Sequence, residues 1–206
     1  MPNKITLWLF LTLALSLHMP FTFAANTQLN VHKLINHIDT YGNISLRNSD
    51  YETLPNGLVV KGNLDISNSA IKSLPKGLVV DRNLSLANTL ITKIPAGTKI
   101  GGYLNAANTP IESYSRRVKV GGFINFAGSS LKKLPNGLRV YGDLSLIRTA
   151  IKELPDNLYV EGNLYLGMTV IKTLPENLQV NGNIFLGGVN LSVIPEDLKL
   201  GGYIFK

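Results

Sequence analysis

The chain has 206 residues, of which 45% are hydrophobic and 16% charged, and it carries a formal net charge of +7. That balance supports a packed core and excludes the disordered class, which is poor in apolar residues and rich in charge. The absence of cysteine excludes a disulfide scaffold, thiolate metal ligation and a cysteine nucleophile.

The first segment reads as an address. Lys4 precedes an apolar run from Ile5 to Leu17, Pro20 comes next, and Thr22 and Ala24 occupy the −3 and −1 positions of a cleavage site before Ala25. This is the pattern of a secretory signal peptide over 1–24. The run falls short of the roughly 20 residues that span a bilayer, and Pro20 interrupts it. No later stretch approaches spanning length, so the expected product is an exported protein, periplasmic or secreted, with no transmembrane segment. Cleavage removes Lys4 and no acid, which lowers the charge from +7 to +6 and leaves His32 and His37 as the only imidazoles.

Residues 25–40 predict a short N-terminal helical cap. Asn26 or Thr27 suits its first position, and Leu29, Leu34, Ile35 and Ile38 form the apolar face expected to cover the start of the next segment.

From Tyr41 the chain repeats. Eight complete copies of 20 residues, 41–60 through 181–200, succeed one another with no insertion or deletion, and a partial ninth covers 201–206. The generic copy is x-G-N-L-x-L-x-x-T-x-I-K-x-L-P-x-x-L-x-V. Position 4 runs Ile44, Leu64, Leu84, Leu104, Ile124, Leu144, Leu164, Ile184 and Ile204, and positions 6, 11, 14, 18 and 20 are equally apolar apart from Thr98. The pairs 4/6 and 18/20 alternate with variable residues, which predicts short strands whose even members point inward.

The remaining columns predict three corners. Gly at position 2, replaced only by Arg82, permits a bend where a side chain is obstructed; Pro at position 15 with Gly or Asn at 17 makes a turn; and small polar residues mark positions 8 to 10. Each copy is then one coil, and coils stack as parallel strands about 4.8 Å apart. One coil cannot bury enough to fold alone, so stability accumulates with copy number and 41–206 forms a single elongated solenoid domain. Thr98, Ala106, Tyr114 with Ser115 in place of Pro, and Phe126 break the pattern and predict an irregularity through 98–126. Ala106 and Phe126 share an inward column and exchange small for large volume.

The segment L-x-L-x-x-T-x-I-x-x-L-P resembles the leucine-rich repeat, most closely the short bacterial class with Leu-Pro in every copy that is known from secreted effector proteins. The resemblance covers 41–206 and implies a right-handed, curved parallel β-solenoid whose strand-bearing face binds proteins. Two departures stand out. The family's asparagine position holds Ser49, Ser69, Thr89, Thr109, Ser129, Thr149, Thr169 and Val189, and position 20 holds Val, Ile or Leu beside the bendable glycine. A straighter three-sided β-helix is the alternative. Effector relatives with ubiquitin-ligase activity use a catalytic cysteine domain, and this chain has no cysteine.

Catalytic chemistry is not expected. His32 and His37 lie five residues apart without a neighbouring carboxylate cluster, and no nucleophile, base and orienter stand together, so neither metal nor cofactor is predicted and the protein is read as non-enzymatic. Position 12 offers Lys132, Lys152 and Lys172 as a basic ridge, with Asp156, Glu176 and Glu196 as an acidic column close by. Outward positions 3 and 5 become aromatic toward the end, at Tyr165, Phe185, Tyr203 and Phe205. These aromatics and lysines are the expected partner-binding residues, and the expected partner is a protein. The alternatives are a structural solenoid that forms a homodimer through the strand edge at Ile204, and an effector acting on a host protein. Nucleic acid is not an expected partner, because no aromatic residues interleave with the lysines.

Overall fold

The computed structural model describes residues 28–206. The expected signal peptide, 1–24, and the expected cap residues Asn26 and Thr27 lie outside the described residues. From Tyr41 onward the chain forms a parallel β-solenoid with one repeat per turn. Its register is constant: Ile44 pairs with Leu64, Leu64 with Leu84, and so on in steps of twenty to Ile184 with Ile204.

Alternation of apolar and polar residues builds this directly. Position 4 enters the core and position 5 faces outward, so two-residue strands from Ile44–Ser45 to Ile204–Phe205 align into one nine-stranded parallel sheet. Positions 19 and 20 build the second side, with position 20 inward. On the third side, near position 13, no strand forms among the described residues, and the coils meet at isolated bridges such as Ser113 with Lys133 and Thr173 with Val193 and through backbone bonds such as that from the Lys72 amide to the Glu52 carbonyl at 3.1 Å. Positions 4, 6, 11, 14, 18 and 20 together make one continuous core, and the exception, Thr98, is fully buried with its hydroxyl donating to the Pro95 carbonyl at 2.8 Å.

The corners differ in their physical cause. At position 8 the backbone is left-handed in every complete copy: Asn48, Asn68, Asn88 and Asn108 have φ of 55° to 58°, and Gly128, Arg148, Met168 and Gly188 continue the column. Asparagine tolerates this region better than other side chains, whereas Arg148 and Met168 adopt it at a local cost. At position 2 the demand is for space. A Cβ at Gly62 would lie 2.4 Å from the Asn43 side-chain oxygen and 2.7 Å from its amide nitrogen, because the neighbouring coil passes directly beneath.

Among the described residues the cap is a single short helix, as expected, with fewer residues turned to the core. Its helix spans Val31–Leu34 and tightens into a 3-10 turn over Ile35–His37; Asn30 is its N-cap, with its side chain accepting from the Lys33 amide at 2.9 Å. Leu29 and Leu34 cover the first coil, but Ile35 is 69% exposed and Ile38 is also at the surface. A helix of one turn presents one narrow face, so Ile35, about 100° around from Leu34, rotates out.

The middle irregularity is present, but displaced and confined to one side. The nine-stranded sheet runs through 98–126 without a break. The second side instead divides into two four-stranded sheets, the first ending at Lys119–Val120 and the other starting at Arg139–Val140. Ala106 and Phe126 exchange volume as expected, both fully buried. Tyr114 is the uncompensated bulk. It packs edge-on against Phe126 at 5.5 Å, and its hydroxyl reaches the Val118 carbonyl at 3.4 Å. A cavity of about 330 Å³ bounded by Tyr114, Val118, Val120, Leu138 and Arg139 opens where the strands part.

Candidate functional site

The outer face of the nine-stranded sheet is organised by position 3. The carboxylate of Asp39 accepts hydrogen bonds from the amides of Tyr41 and Asn43 and from the Asn43 side chain, all at 2.8 to 2.9 Å. Asn43 then accepts from the Asn63 amide at 2.7 Å, Asn63 from that of Asn83 at 3.1 Å, and Asn83 from that of Tyr103 at 2.9 Å. A second ladder begins at Asp143 and passes through Asn163 and Asn183 to the Tyr203 amide, with links of 2.8, 2.9 and 2.9 Å. Each ladder starts at an aspartate and ends at a tyrosine. Hydrogen bonds to Asp39 hold its carboxyl below the ordinary value, the Asn43 side chain contributing most.

Position 9 closes its turn with hydroxyl groups: those of Ser69, Thr89, Thr109 and Thr149 donate to the carbonyl three residues back, at 2.6 to 2.7 Å. Ser49, Ser129 and Thr169 hold buried hydroxyl oxygens with no such partner.

Aromatic rings stand on this scaffold in two stacks. Tyr165, Phe185 and Phe205, at position 5, lie parallel with centroids 4.9 and 5.0 Å apart, and Tyr203 meets Phe205 edge-on at 6.4 Å. The spacing is that of the strands themselves, so the backbone sets the stack. Tyr203 is 74% exposed and Phe205 45%. The second stack, Tyr103 on Phe123 at 4.5 Å, stands at position 3 between the two ladders. Sequence reasoning overlooked it. Tracing position 3 coil by coil, from Asn83 through Tyr103 and Phe123 to Asp143, would have exposed the change of residue type.

The two stacks stop on either side of the coil that contains Asp143 and Ser145. A cavity of about 420 Å³ lies there, lined by Phe123, Asn125, Ala127, Asp143, Ser145, Ile147 and Tyr165. The Tyr165 hydroxyl donates to the Asp143 carboxylate at 3.4 Å, and burial together with that negative charge raises the phenol's pKa.

The expected site residues do not form one surface. Tyr165, Phe185, Tyr203 and Phe205 come together on the long sheet, whereas Lys132, Lys152 and Lys172 project from the third side, near position 13. Lys132 is engaged by Glu112 at 2.7 Å, as Lys72 is by Glu52 at 2.9 Å, so the position-12 column pairs its own charges from coil to coil. Lys152 and Lys172 are exposed. In the cap, His37 packs edge-on against Tyr51 at 5.6 Å. Among the described residues no group of His, Cys, Asp or Glu could hold a metal ion, and no helix is long and apolar enough to cross a membrane.

The fold and this face define a parallel β-solenoid repeat protein. Comparison of the chain with family models, with curated proteins and with solved structures returns no match.

Proposed function

We propose that the chain is an exported, non-enzymatic binding module of the leucine-rich-repeat type, which offers the outer face of its nine-stranded sheet to a protein partner. The observation that supports this reading is the stack of Tyr165, Phe185 and Phe205 with Tyr203 at its edge. Large rings held in register by the backbone give contact area at little cost in side-chain entropy, and such residues dominate protein recognition. Export rests on the segment 1–24, and the repeat class on the Leu-Pro pattern of 41–206. In this reading Lys152 and Lys172, on another side, tune solubility and approach and do not anchor the partner.

The test is affinity capture on immobilised chain beginning at Ala25, compared with a Phe185→Ser/Phe205→Ser variant whose circular dichroism matches the parent. A discrete protein retained by the parent and lost by the variant supports the proposal. Retention by neither, or equally by both, overturns it. Light scattering on the same pair reports the self-assembling alternative as a dimer mass that falls to monomer in the variant.

A further inference from the structure

The place where the two aromatic stacks stop has the features of a small-ligand site. In the position-5 column, rings occur at Phe205, Phe185 and Tyr165, and one strand further back the column holds only Ser145. In the position-3 column, rings occur at Tyr103 and Phe123, and the next residue is Asp143. One rung is missing from both stacks at the same coil. The gap is the cavity of about 420 Å³, within the roughly 300–1,000 Å³ typical of small-ligand sites. A ring resting on Tyr165 at the spacing of the existing stack would lie over Ser145.

We propose that this gap binds a pyranose ring of a glycan. The walls are aromatic and aliphatic, from Phe123, Tyr165, Ala127 and Ile147, and suit the C–H face of a sugar. Asp143 and Ser145 add polar groups to the same lining, which suit the hydroxyls of a sugar. The Asp143 carboxylate accepts one long hydrogen bond from the Tyr165 hydroxyl on Oδ2, and among the described residues the Ser145 hydroxyl has no partner. A purely aromatic occupant, such as a partner's side chain, would cover both groups without pairing them, which is unfavourable. A quaternary ammonium occupant would pair with the charge of the Asp143 carboxylate, one of whose oxygens accepts from the Asn163 amide at 2.8 Å and from the Asn163 side chain at 3.3 Å, but it carries neither donor nor acceptor for the Ser145 hydroxyl. A polyol with a C–H face satisfies both the apolar and the polar lining. This site shares Tyr165 with the protein-binding reading but uses its open face, whereas Phe185, Tyr203 and Phe205 do not line it, so the Phe185→Ser/Phe205→Ser variant tests that reading and the variants below test this one.

The experiment is calorimetric titration of the full chain with hexamers of glucose and of N-acetylglucosamine, with N-acetyltyrosinamide and benzyltrimethylammonium as the aromatic and cationic probes. Ser145→Phe supplies the missing rung from within, so it fills the site while extending the stack. Tyr165→Leu removes the platform. The expected result is binding of at least one hexamer, weakened tenfold or more by each variant, with the melting temperature of Ser145→Phe equal to or above the parent's. No hexamer binding, unchanged binding in Ser145→Phe, or binding of only the aromatic or cationic probe overturns the proposal.

Discussion

At the scale of single residues, one chemical group takes two roles in the same column. The position-9 hydroxyls of Ser69, Thr89, Thr109 and Thr149 close a turn, whereas that of Thr169 is buried without a partner, and Val189 fills the position in the last full coil. Valine matches threonine in shape, so the substitution isolates the hydroxyl. Thr149→Val is expected to cost about 1 kcal/mol, because the bond to the Leu146 carbonyl is lost, while Thr169→Val is expected to be neutral or slightly stabilising. Thermal melting of the two variants checks this, and equal losses would refute the assignment. The column itself was legible in the sequence. Which hydroxyls find the carbonyl was not, because that depends on how closely each turn packs on the next.

At the scale of elements, the ladders show why strands of two residues suffice. Each coil adds backbone hydrogen bonds beyond the strand, such as Leu46 to Asp65 and Asn48 to Ser67, and position 3 adds a side-chain bond on the same axis. Asp39 anchors the first ladder with three such bonds. Its carboxyl is held below the usual 3.8, so the ionised form is favoured in the folded state. The stability it contributes is present above the unfolded-state value and is lost as the pH falls through the lowered one. Asp39→Asn, which sets one amide donor against another at Asn43, is expected to melt lower than the parent at neutral pH, with the gap closing below about pH 4 as the parent protonates. A gap that stays constant across that range would show that the carboxylate charge is not what anchors the ladder. The repeat signalled strands and corners without ambiguity, since a column of glycine or leucine has few readings. The ladder was hidden because asparagine at position 3 also suits an ordinary solvent-facing strand residue.

At the scale of the whole molecule, the continuous nine-stranded sheet holds the stack of coils together across the break in the second side. The break falls beside Tyr114, a bulky residue packed against Phe126 where other copies carry Leu or Ile. Burial also raises the pKa of the Tyr114 phenol, so that side chain remains neutral throughout the physiological range. Tyr114→Leu restores the repeat's own residue and is expected to let Arg139 and Tyr141 join the strand at Lys119–Val120. Native-state hydrogen exchange reads this as increased protection of the Arg139 and Tyr141 amides relative to the parent. If protection is unchanged, the division of the sheet has another origin.

Periodicity alone dictates the solenoid: a period of twenty, six inward columns and three corners admit only stacked coils, because each coil needs its neighbours to close the core. The aromatic side chains of the last coils were equally plain in the sequence, though not that they stand in register. Which residues of different coils share a surface emerged from the folded molecule. Folding separates the lysines from the aromatics, joins Asp39 and Asp143 to their asparagine ladders, and leaves one rung empty between two aromatic stacks. Repetition specifies the direction of a side chain within its own coil, whereas the neighbours it meets along the axis depend on the size and hydrogen bonding of residues twenty positions away.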